Sequence, residues 1–103
     1  VAMTEAFLEV GRGRFYTGIT DLHPGGDAIA SLRGAVRLSY DLIERPRWVK
    51  DLLRYVTCAY KDVYDFCYAK LCAAKQPITA WAGIVSPRKW YIPSNDYSCM
   101  VSP

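Results

Sequence analysis

The chain has 103 residues, of which 51% are apolar and 22% charged, with a formal net charge of +3. That composition allows one small domain with its own core and excludes disorder. The 13 basic against 10 acidic residues, without a block of like charge, give no nucleic-acid footprint. No apolar run approaches the roughly 18 residues of a membrane span, and no signal peptide is visible, so no membrane partner is expected and the expected location is the cytoplasm.

In chain order, Ala2 to Val10 reads as a short helix broken by Gly11-Arg-Gly13. Arg14 to Ile19 carries the aromatic and β-branched residues of a strand. A polar turn follows, Gly18-Ile-Thr-Asp-Leu-His-Pro-Gly-Gly-Asp27, and then a helix with Asp27 as its expected N-cap and Gly34 as its stop. Strand, polar turn and helix in that order make a βα unit. Val36 to Ile43 is a further helix, interrupted by Arg45-Pro46.

Pro46 suits a helical first turn, and from Val49 the apolar positions Val49, Leu52, Leu53, Val56, Tyr60, Val63, Cys67, Leu71 and Ala74 recur at intervals of three or four or their neighbours. Lys50, Asp51, Arg54, Lys61, Asp62 and Asp65 fall largely opposite, which is the pattern of a helix lying on a core. Lys75-Gln-Pro77 closes it. Ile78 to Ile84 reads as a strand with a turn at Val85-Ser-Pro87, and Lys89 to Ile92 as a second strand that could pair with it. The last segment ends in Ser102-Pro103, an N-cap followed by a first-turn proline, so the chain is expected to be cut at the start of a helix. Its start at Val1 is read as a trimming or fragment boundary in the same way.

Cys58, Cys67, Cys72 and Cys99 have no zinc-site spacing, and His23 is the single histidine, so neither a metal nor a cofactor held wholly by this chain is expected. Three of the cysteines share the long helix at spacings poor for disulfides, and reduced, mostly buried thiols are expected.

Candidate chemistry concentrates in the polar turn. Loops after strand carboxyl ends bind ligands in α/β folds, and an Asp21 carboxylate near the His23 imidazole would suit acid or base work. By residue type, turn-forming roles for Asp21 and His23 and a capping role for Asp27 are the favoured readings. Gly25-Gly26 before a helix would let backbone amides approach an anion. Asn95 and Asp96 lie in the last polar segment and join Asp21 and His23 only if the preceding strand ends at the same rim. Trp81, Trp90 and Tyr91 are read as core, or as walls for a flat ligand. A P-loop and a G-x-S-x-G elbow are both lacking, which disfavours a covalent hydrolase and names no catalytic residue.

Taken together, residues 18–27, Leu32-Arg-Gly34, Asp41-Leu-Ile-Glu-Arg-Pro46 and Ser94-Asn-Asp-Tyr-Ser-Cys-Met-Val-Ser-Pro103 resemble the uroporphyrinogen decarboxylase-like superfamily. That family includes uroporphyrinogen decarboxylases and methyltransferases acting with corrinoid proteins. The resemblance implies an α/β fold, a partial (β/α)8 TIM-barrel segment in which residues 1–103 are one piece, with one long amphipathic helix between two strand regions. It covers about a third of such a barrel.

The turn at Leu22-His-Pro-Gly-Gly-Asp27, and Ser31 where the decarboxylases carry tyrosine, place the sequence nearer the methyltransferase-like branch. The early catalytic aspartate of the decarboxylases would fall before Val1, and the zinc ligands of the methyltransferases beyond Pro103. The resemblance therefore implies an inactive fragment whose parent acts on a small-molecule substrate, by tetrapyrrole decarboxylation or corrinoid-linked methyl transfer. Asp21, His23, Asn95 and Asp96 would line that parent's substrate pocket. The alternative is a stand-alone, non-enzymatic α/β protein acting as an oligomeric or ligand-binding module. As a separate chain it is expected to self-associate, because a partial barrel leaves strand edges open.

Overall fold

A computed structural model describes residues 2–101, so the Ser102-Pro103 signature and the boundary at Val1 lie outside the described residues. Helices dominate: α1 (Ala2–Gly11), α2 (Gly26–Arg33), α3 (Ala35–Glu44) and α4 (Pro46–Ala73). Strands β1 (Ile78–Thr79) and β2 (Val85–Ser86) and a 3-10 helix (Asp96–Met100) complete the order. Among the described residues no helix is long and apolar enough to cross a membrane. The chain divides into two compact units, residues 1–21 with 62–92 and residues 22–61 with 93–103.

The unit of residues 22–61 and 93–101 is built on the apolar stripes of three helices. Ile29 of α2, Leu38 of α3 and Val49 and Val56 of α4 are buried with Tyr97, and Leu42, Leu52 and Leu53 pack against them. The sharp break between α2 and α3 falls at Gly34, whose φ of 90° is left-handed and whose N–H donates to the Ala30 carbonyl. Pro46 opens α4 at the position where a missing N–H costs nothing.

The same unit buries one carboxylate. Asp41 is 2% exposed, and Arg33 grips it with two bonds, Nε to Oδ2 at 2.7 Å and Nη2 to Oδ1 at 3.3 Å. Arg45 adds Nη2 to Oδ1 at 2.7 Å, from one helical turn further on. Both guanidiniums lie 5.5 Å from the Trp48 ring centre. The Arg33 hydrogen bonds hold the Asp41 carboxyl below the usual carboxylate range against the opposing effect of burial.

In the unit of residues 2–21 and 62–92, Ile19, Tyr64, Cys67, Leu71 and Ile78 are buried. The sheet is a minimal antiparallel hairpin, with Ile78 opposite Ser86 and Thr79 opposite Val85. Its turn lies at Ala80–Ile84, where Gly83 adopts a φ of 69° and its N–H donates to the Ala80 carbonyl. The stretch read as one strand, Ile78 to Ile84, thus folds back on itself, and Lys89 to Ile92 is not a strand.

The expected α/β barrel segment is contradicted: the described residues are mostly helical, with four α-helices and a single two-stranded sheet among them. The reason is local and physical. Phe15 to Ile19 has strand-forming residues, but a strand exists only by pairing, and here the partner is a side chain. The Gln76 amide donates Nε2–H to the Thr17 carbonyl at 2.6 Å and accepts the Thr17 N–H at Oε1 at 3.2 Å. Among the described residues, one backbone hydrogen bond, Ile19 N–H to the Thr79 carbonyl at 2.8 Å, joins this stretch to the hairpin residues. The cysteines also depart from expectation, since only Cys67 is buried and Cys58, Cys72 and Cys99 are exposed on free thiols.

Candidate functional site

The polar turn and the last polar segment meet at the carboxylate of Asp27. Gly25, with a φ of 72°, precedes the first turn of α2 and makes the N-cap with no side-chain bond, so Asp27 sits inside the helix and not at its cap. Its side chain caps a different helix. Oδ1 accepts the Tyr97 N–H at 2.7 Å and Oδ2 accepts the Asp96 N–H at 3.0 Å, which satisfies amides at the start of the 3-10 helix. Those two backbone bonds, with a smaller contribution from His23, hold the Asp27 carboxyl below its ordinary range.

Close approach of the two segments depends on Gly26. A Cβ there would stand 2.8 Å from Asn95 Oδ1 and 3.1 Å from Tyr97 Cδ1. Tyr97 is buried and its hydroxyl bonds Ser39 Oγ at 2.9 Å, which ties the 3-10 helix to α3 as well.

His23 completes the cluster. Its Nδ1 lies 3.1 Å from Asp27 Oδ2 and 3.0 Å from Ser94 Oγ, with the side chain 40% exposed. An ionised carboxylate only accepts, so the Asp27 contact is a hydrogen bond in the tautomer that carries its proton on Nδ1.

Comparison with known proteins assigns no family. No protein-family model, curated protein or solved structure matches the chain. The site therefore rests on its own geometry.

Of the four residues expected to share a pocket, His23, Asn95 and Asp96 lie in this cluster. Asp21 is exposed and belongs to the other unit. Ser94 and Tyr97 are additions. Both stand in the Ser94-to-Pro103 motif, but nothing in their residue types distinguishes a histidine partner from a turn serine, or a buried anchor from a surface tyrosine. His23, Asp27 and Asp96 each offer one potential metal-ligand atom, all within 4.8 Å of one another, a set from two segments that cysteine and histidine spacing could not indicate. Both Asp27 oxygens already accept backbone N–H groups, so the first role of this set is structural. Trp90 and Tyr91 are half-buried and spend their polar ends on the backbone carbonyls of Ile78 and Thr20.

Proposed function

We propose that this chain supplies part of the substrate site of a uroporphyrinogen decarboxylase-like enzyme, on the corrinoid-linked methyl-transfer side of that group, with His23 as its proton-exchanging residue. One observation carries the reading. Two of the four segments that bear the resemblance, separated by about seventy positions, are held together through Asp27 and present His23, Ser94 and Asp96 in one cluster. Asp27 fixes the ring and its tautomer, and its charge supports the imidazolium formed when Nε2 takes a proton from a substrate group. Ser94 Oγ, 3.0 Å from Nδ1, is a second contact at the same nitrogen.

Titration of the chain with methylcobalamin and, separately, with uroporphyrin, followed by tryptophan emission, tests this. Saturable quenching by methylcobalamin that weakens at least fivefold in His23→Gln is the expected result. No saturable quenching by either compound, or equal affinity in His23→Gln, would overturn it, and quenching by uroporphyrin alone would move the reading to decarboxylation.

A second reading, an oligomeric module without catalysis, is favoured by the outer face of α2 and α3. On α3, Val36, Tyr40 and Ile43 are 71%, 63% and 82% exposed at spacings of four and three, and Leu32 near the end of α2 is 77% exposed. A second copy of the chain covering that stripe would appear in sedimentation equilibrium as a dimer that Tyr40→Lys with Ile43→Lys converts to monomer.

A further inference from the structure

The unit of residues 2–21 and 62–92 contains an open cleft of about 850 Å³, bounded by α1, the turn after it and the residues that close α4. The volume is that of a site for a molecule of drug or cofactor size. Its lining combines two kinds of group. Leu8, Phe15 and Tyr16 give apolar surface, with Phe15 and Tyr16 50% and 58% exposed, and Arg12, Arg14 and Lys75 give positive charge.

None of those three cations makes an ion pair among the described residues. Of the two glutamates on the wall, Glu5 is held by Lys70 at 2.6 Å, which leaves Glu9 to set against three positive groups.

The backbone is shaped to this arrangement. Arg14 and Phe15 N–H groups both donate to the Gly11 carbonyl, and the Phe15 ring comes within 2.7 Å of where a Gly11 Cβ would be, so only glycine allows that ring against the end of α1. Among the described residues Lys75 is the one non-glycine residue with a positive φ, 57°, at the close of α4, where glycine is the usual occupant. Basic residues at two helix C-termini also offset the helix dipoles, but that role calls for no aromatic wall and would be met without a left-handed lysine.

We propose that this cleft binds a flat ring system carrying two or more negative charges, with the ring against Phe15 and Tyr16 and the charges on Arg12, Arg14 and Lys75. The charges of such a ligand are carboxylates or phosphates. The proposal is independent of the role given to His23.

Isothermal titration of the 103-residue chain with naphthalene-2,6-dicarboxylate, with adenosine 5′-diphosphate and with neutral naphthalene-2,6-dimethanol separates the cases. Saturable binding of at least one dianion, weakened by salt and absent for the diol, is expected, and the tighter dianion identifies the charge carrier. Arg12→Gln with Arg14→Gln, both on the surface, should weaken it about tenfold or more. Lys75→Gly should raise the melting temperature by removing the left-handed lysine and yet weaken dianion binding, a combination that a purely structural Lys75 would not give. Failure of both dianions to bind, equal binding of the diol, or unchanged affinity in the double variant would overturn the proposal.

Discussion

The carboxylate of Asp27 accepts the backbone N–H of Tyr97 at 2.7 Å, across 70 positions of sequence. A side chain of α2 thereby starts a helix near the other end of the chain. With the Asp96 N–H and His23 Nδ1 on Oδ2, it makes one carboxylate the organising group of the cluster.

Asp27→Asn keeps the shape but leaves one acceptor oxygen where two are used, so it should lower the melting temperature by roughly 4–8 °C, the size of a lost cap. The pH dependence has a definite sign. A carboxyl whose folded-state pKa is depressed stabilises above its unfolded value, and that contribution is lost as pH falls through the lower folded value. Melting curves between about pH 5 and pH 2 should fall less steeply for Asp27→Asn than for the wild type.

Asp41→Ala should be more damaging than Arg45→Ala. The first leaves the Arg33 and Arg45 guanidiniums without the carboxylate they share, whereas the second leaves the two-point Arg33 grip intact. Thermal melts should place Asp41→Ala roughly 10 °C or more below the wild type. Loss of its ordered guanidinium neighbours should also alter Trp48 emission.

The faces of α2 and α3 can be told apart by truncation. Ile29 has no exposed surface and lies in the core, so Ile29→Ala should cost about 2–5 kcal/mol in urea unfolding. Ile43, 82% exposed, should change stability by no more than about 0.5 kcal/mol when cut to alanine, provided the protein is kept dilute.

Gln76→Leu removes the side chain that replaces a strand partner at Thr17. Native-state hydrogen exchange should then accelerate at the Thr17 amide, while the Ile19 amide, bonded to the Thr79 carbonyl, keeps more of its protection. Equal protection at Thr17 in both proteins would show that the amide is held by something other than Gln76.

These residues also show what the sequence could and could not reveal. The stripe at Val49, Leu52, Leu53 and Val56 repeats over enough turns to specify α4, and Gly34 and Pro46 mark real helix boundaries because each acts through its own backbone. Strand propensity is a preference for pairing, and the pairing depends on residues far away, so residues 14–19 and 78–84 carry the composition of strands without forming them along their length. Gln76 takes the place of a ladder at Thr17, and Gly83 reverses a run whose apolar side chains look continuous. For the site, the Ser94-to-Pro103 motif pointed to Asn95 and Asp96 beside His23. Local spacing makes Asp27 the cap of its own helix and cannot show that its carboxylate serves another.

In the proposed site Asp27 fixes the His23 ring with its proton on Nδ1. His23 is the single histidine, so long-range proton–nitrogen correlation spectra of the neutral ring report on it without assignment. The account predicts protonated Nδ1 and unprotonated Nε2 in the wild type, with the balance shifting toward protonated Nε2 in Asp27→Asn. A wild-type ring already protonated at Nε2, and unchanged by that substitution, would contradict it.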